Sequence, residues 1–128
     1  MKVLLDTSVW VDFFRRGPSM TVVDRLLDEG DVVTHPMVVV ELACGSPPSP
    51  RLRSLRDIED LQHVSIATLG EARELLEREK LYGRGLGLVD LMLLTSTRIT
   101  PGTRLYSLDR RLDAAARQLG VVHTIAAH

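Results

Sequence analysis

Short apolar runs, each too brief for a helix, alternate along this chain with longer stretches that carry helix start and stop residues. Residues 3–5 (Val-Leu-Leu) form the first run and read as a buried strand. Asp6, Thr7 and Ser8 then offer capping side chains for a helix reaching about Arg16. Gly17-Pro18 ends that helix and starts another, which runs to Glu29 with Gly30 as its stop. A strand at 31–34, a helix opened by His35-Pro36 and closed by Gly45, a proline-rich loop at 45–50 and a charged helix at 51–61 follow. A third strand is expected at 64–66, an amphipathic helix at 69–81, a glycine-rich turn at 83–87 and a helix at 88–98. A strand at 103–108, a helix at 110–119 stopped by Gly120 and a last strand at 121–124 complete the pattern.

Strands alternating with helices predict an α/β fold: three layers, α/β/α, around a central parallel sheet of four to five strands. Right-handed crossovers leave few topologies, and ligands in such sheets sit at strand carboxyl ends where the strand order reverses. Asp6 and Asp109 follow the first strand and the strand at 103–108. The length of 128 residues predicts a single domain over 1–128, and 45% hydrophobic residues exclude disorder. A net charge of −1 excludes nucleic-acid binding through bulk positive charge. Cys44 is the sole cysteine, so neither an internal disulfide nor a thiolate zinc site can form, and a cytoplasmic location is expected. The early Asp6 breaks any secretory pattern, and no apolar run approaches the roughly 18 residues a membrane helix needs.

Two of the longer apolar runs, 37–44 and 86–94, are each interrupted by one carboxylate, Glu41 and Asp90. Asp6 and Asp109 have an ordinary reading as helix N-caps, and Asp90 could cap a helix that begins slightly later. Glu41 lies inside Val38-Val39-Val40-Glu41-Leu42-Ala43, a helix apolar on nearly every side and therefore expected to be buried. An isolated buried carboxylate costs several kcal/mol unless it is paired or bound to a metal. Converging carboxylates repel, and an oxygen-only ligand set suits Mg²⁺ or Mn²⁺. Such ions commonly bridge protein and phosphate oxygens, which points to phosphodiester hydrolysis.

With these segments in view the chain resembles a PIN-domain ribonuclease, specifically the VapC-type toxins of bacterial toxin–antitoxin pairs. The matching stretches are Leu4-Leu5-Asp6-Thr7-Ser8, Glu41 in VVVELACG, Asp90 in GLVDLMLL, and Leu105-Tyr106-Ser107-Leu108-Asp109-Arg110-Arg111-Leu112. Ser107 stands where the family often has threonine, and it preserves a hydroxyl. The resemblance implies a metal-dependent endoribonuclease in which Asp6, Glu41, Asp90 and Asp109 hold one or two divalent cations, Mg²⁺ or Mn²⁺. Asp6 would be the central ligand, Thr7 or Ser8 would supply a supporting hydroxyl, and Asp113 is a candidate for the outer shell. An antitoxin protein and a second copy of the chain are the partners it implies, besides RNA. A haloacid-dehalogenase-type phosphatase also uses an aspartate after the first strand, but needs a second one where this chain has Ser8. The remaining alternative is a catalytically inactive nucleic-acid- or partner-binding module.

Fourteen arginines against two lysines suit phosphate recognition, though coding bias gives the same count. From Arg98 onward five arginines face two aspartates, a basic edge that makes Arg110 and Arg111 candidate RNA contacts or simply a solvated helix face. Trp10, Phe13 and Phe14 are three of five aromatics and share one helix, where they serve as core or as a partner surface. His35, His63, His123 and His128 show no ligand spacing, and the glycines at 83–87 do not make a dinucleotide fingerprint.

Overall fold

A computed structural model of the chain describes residues 1–124; His128 and the rest of 125–128 lie outside the described residues. The elements run in the order β1 (Lys2–Leu5), α1 (Thr7–Phe14), α2 (Met20–Asp28), β2 (Val32–Thr34), α3 (Pro36–Cys44), α4 (Arg51–Glu59), β3 (Gln62–His63), α5 (Leu69–Arg78), α6 (Leu88–Ile99), β4 (Thr103–Tyr106) and α7 (Arg110–Gln118). The strands pair in the order β3-β2-β1-β4, all parallel, with Val3 opposite Val32 and Leu5 opposite Tyr106. β1 to β2 to β3 steps one way across the sheet, and β3 to β4 returns past β1. Right-handed crossovers therefore put α1–α4 on one face and α5–α6 on the other. The reversal falls between β1 and β4, so their carboxyl ends form the crevice where such sheets bind ligands.

The expected architecture holds, with two strand corrections. The third strand lies at Gln62–His63 rather than 64–66, because at a sheet edge the backbone makes the pairing while both side chains stay exposed. Apolar patterning is blind to such a strand. The last strand reduces to one bridge, Leu105 with Val122, which continues the sheet beyond β4.

The core is aliphatic: Leu4, Leu5, Leu93, Leu94 and Leu105 are fully buried. β1 is apolar at Val3, Leu4 and Leu5 because both its faces are covered. Seven consecutive residues of α6, Leu91 to Thr97, are buried, so three polar side chains must find partners inside. Thr95 and Thr97 donate to the carbonyls of Leu91 and Leu93, one turn back in the same helix. Ser96 Oγ accepts from the Ala67 backbone and meets His35 Nε2 at 3.2 Å. Trp10 is core, packed on Phe13 and Phe14, which lie at the core's margin.

The first correction that touches a candidate residue concerns α3. Val38, Val39 and Leu42 are buried, but Val40 is 61% exposed and Glu41 is exposed as well. The helix is apolar on most sides, yet Val40 and Glu41 stay outside its packing against α4 and α1, so burial does not compel a partner for Glu41.

His35 is 1% exposed and caps α3 through Nδ1, which accepts the Met37 backbone N–H at 3.0 Å. With Nδ1 accepting, the neutral ring donates from Nε2 to Ser96. Burial, reinforced by the nearby His63, lowers the His35 pKa. Protonation would give Nδ1 a hydrogen facing an N–H, so the folded form binds the proton less readily than the unfolded chain. The associated stability is complete above the ordinary histidine pKa of about 6.5 and is lost as pH falls from there through the folded value. Thermal melting should show Tm falling between neutral and mildly acidic pH, and His35→Asn, which keeps an acceptor at the cap, should flatten that fall. An unchanged slope in the variant would rule out His35 as its source.

Candidate active site

The site is built on Asp6, the residue immediately after β1. It is the N-cap of α1, in extended backbone conformation, and only 5% exposed. Its Oδ1 accepts from the Val9 backbone at 3.2 Å and from Ser8 Oγ, while Oδ2 accepts from Ser107 Oγ at 2.6 Å. The capping reading and a functional reading are thus compatible, since one oxygen serves the helix and the other faces β4. Burial raises the Asp6 pKa; hydrogen bonds from Ser107, Ser8 and Val9 oppose the rise, and the charge of Asp90 adds to it. A buried carboxylate next to a second acid is an arrangement that a cation relieves.

Ser107 was not among the candidate site residues, although it is the hinge of this arrangement. Its hydroxyl donates to Asp6 and accepts the Asp109 backbone N–H at 2.9 Å. Ser8 mirrors it from the first turn of α1, accepting the Leu108 N–H at 3.0 Å. These two serines tie the carboxyl ends of β1 and β4 together across the crevice. The sequence signal was the hydroxyl two residues before Asp109.

The other acids arrive from separate elements. Thr7 Oγ1 donates to Glu41 Oε1 at 2.6 Å, so α3 presents its carboxylate beside the first residue of α1. Asp90 is half-buried in the first turn of α6, its Oδ2 accepting the Gly87 N–H at 3.2 Å, and lies near enough to Asp6 to influence its ionisation. Asp109 is exposed and caps α7, accepting the Arg111 and Leu112 N–H groups. Asp6 and Asp90 are therefore neighbours, while Glu41 and Asp109 join them through Thr7 and Ser107. Among the described residues, no three acids, histidines or cysteines stand close enough together to enclose one ion with the side chains as they lie.

The remaining candidates separate clearly. Asp113 holds Arg117 in an ion pair at 2.7 Å. Arg111 lies against Gly85, where an added Cβ would come within 2.8 Å of its Cδ, so that arginine braces the glycine turn before α6. Arg110 is exposed and lines a hollow beside Ser107. A second cavity, of about 480 Å³, opens on the other side of the site, with Thr7, Glu41, Phe14, Arg15, Pro47 and Pro48 in its walls.

Comparison with known proteins gives this geometry its family. The profile of the PIN domain family matches residues 3–118. The chain is 39% identical over 119 residues to Ribonuclease VapC32 of Mycobacterium tuberculosis, in both strain CDC 1551 / Oshkosh and strain H37Rv, covering 93% of this chain and 94% of that one. The crystal structure of PAE2754 from Pyrobaculum aerophilum superposes with a TM-score of 0.60 over 89% of this chain and 78% of that one; at 17% identity this concerns the fold. The carboxylates at the sheet's crevice, in the order in which they occur along the chain, are thus those of a chain that belongs to the PIN domain family, among its VapC-type ribonucleases.

Proposed function

We propose that this chain is the toxin ribonuclease of a toxin–antitoxin pair and hydrolyses RNA phosphodiester bonds at the crevice between β1 and β4. The observation that carries the reading is the Asp6 carboxylate, buried at the sheet's switch point with both oxygens held by hydroxyls. Identity of 39% to a ribonuclease over nearly the whole chain supports the same reaction.

Asp6, Glu41, Asp90 and Asp109 are the residues that would hold Mg²⁺ or Mn²⁺. The fit lies in the donor set: oxygen ligands only, centred on a buried acid whose ionisation its acidic neighbour opposes. When bound, such an ion would draw negative charge from the phosphate and acidify adjacent water. The chain's own contribution is position. Ser8 and Ser107 hold the two oxygens of Asp6, so its carboxylate cannot rotate without losing one of them. Thr7 fixes Glu41, and the α6 and α7 N-termini fix Asp90 and Asp109. Water adds to phosphorus, the bond to the 3′ oxygen breaks and that oxygen takes up a proton, leaving 5′-phosphate and 3′-hydroxyl ends. No covalent intermediate with the protein is required. A cognate antitoxin protein and a second copy of the chain are the further partners in this reading.

That no three acids, histidines or cysteines among the described residues stand close enough to enclose one ion favours a second reading, a PIN-fold module that binds without cleaving. A ligand bound only by the native state raises its melting temperature, by about 2.7 kcal/mol of stability at a hundredfold excess over Kd. Saturating Mn²⁺ should therefore raise Tm by several degrees in the wild type and by less in Asp6→Asn; no shift in either favours the binding module.

Two cleavage experiments test the ribonuclease reading. Incubated with Mg²⁺ or Mn²⁺, the chain should cut a structured RNA, and Asp6→Asn should slow cutting by more than about 100-fold. Cleavage by that variant at the wild-type rate would refute the assignment. Ser107→Ala leaves one Asp6 oxygen unsupported and should cost about 10-fold to 100-fold in rate, the equivalent of one hydrogen bond to a charged group, whereas Ser107→Thr should retain most activity. Equal rates in all three would remove Ser107 from the mechanism.

A further inference from the structure

Beside the acids lies a hollow of about 350 Å³ that their chemistry does not use. Its walls come from the end of β4, from α7 and from the segment after Val121: Tyr106, Ser107 and Leu108, then Arg110 with the Asp113–Arg117 pair, and His123. Ser107 belongs both to this wall and to the hydrogen bond that holds Asp6 Oδ2, so the hollow adjoins the proposed reaction centre directly.

Its two cations differ. Arg117 is neutralised by Asp113 at 2.7 Å, whereas Arg110 forms no ion pair among the described residues. Leu108 is 46% exposed although its backbone is pinned by Ser8, so a large apolar side chain is held open to water at the mouth of the site. His123 packs its ring on Tyr106 with centroids 5.6 Å apart. Burial lowers the His123 pKa, and the ring is therefore uncharged at neutral pH. One available cation beside apolar and aromatic surface suits a nucleotide, which carries a phosphate and a flat base.

Building on the ribonuclease reading, we propose that this hollow is the subsite for the nucleotide adjoining the scissile phosphate. Arg110 takes that nucleotide's outer phosphate, and Leu108 with His123 receives its base. Arg111, occupied against Gly85, has no part in it. The strand thus leaves the acids along the β4–α7 side of the crevice.

The test measures binding of single-stranded oligouridylate by fluorescence anisotropy, with the full chain carrying Asp6→Asn as a cleavage-deficient host. Adding Arg110→Ala should weaken binding on the order of ten-fold and reduce the slope of log K against log salt by about one. Adding Leu108→Ala should weaken binding several-fold with the salt slope unchanged, since a base contact releases no counterions. Adding Arg73→Ala, on the exposed face of α5, should change neither. No binding by the host, or equal affinity and slope in the host and both subsite variants, overturns the proposal. So does competition by oligoglutamate as effective as that by unlabelled oligouridylate, which would mark a patch that recognises charge alone. Cleavage by the wild-type chain reports separately on the ribonuclease reading: cut RNA with unaltered variants leaves that reading standing and removes this subsite.

Discussion

A carboxylate taken out of water at the end of a central strand must have its charge satisfied by the protein, and Asp6 sets that requirement for the whole crevice. Its cost is met by a backbone N–H of α1 and by two serine hydroxyls, one of which is 101 residues away in sequence. Ser107 reaches it because β4 returns across the sheet to pair with β1 along four residues. The Asp6 N–H completes the junction by donating to the Tyr106 carbonyl at 3.1 Å. The β1–β4 pairing and the site are thus one arrangement.

Placement of the other acids depends on how their helices are anchored. α6 carries Asp90 in its first turn and is buried through its middle, so the carboxylate stands on a rigid support. The same helix anchors α3 through Ser96 and the His35 cap, and α3 carries Glu41 at the opposite wall. Two acids on different elements are therefore linked through the core as well as across the crevice. Asp109 caps α7 as Asp6 caps α1, so each of these two acids is held by the helix it starts.

Much of this was legible in sequence, for identifiable reasons. Alternating strands and helices fixed the layered architecture, and the reversal rule pointed to Asp6 and Asp109 before any contact was known. Glu41 was picked out by an argument that the structure does not sustain: composition says how apolar a helix is, but not how many of its sides are covered, and Val40 and Glu41 face outward. β3 was displaced by two residues because Gln62 and His63 pair through their backbones at an exposed edge. Ser107 showed in sequence only as a hydroxyl two residues before Asp109, and its contact with Asp6 arises only when two distant strand ends meet. Arg110 and Arg111 were equivalent in sequence and differ through their surroundings, one open beside Ser107 and one packed on Gly85.

The central claim is that the crevice around Asp6 holds a divalent cation as a working part of the protein. Anomalous diffraction from crystals grown with Mn²⁺ tests it most directly, because the signal locates the ion independently of any assay. The account predicts an anomalous peak at the end of β1, bonded to Asp6 and Asp90, with Glu41 or Asp109 drawn toward it, and its loss in Asp6→Asn. Saturating Mn²⁺ with no peak at Asp6, or a peak that persists unchanged in the variant, would contradict it.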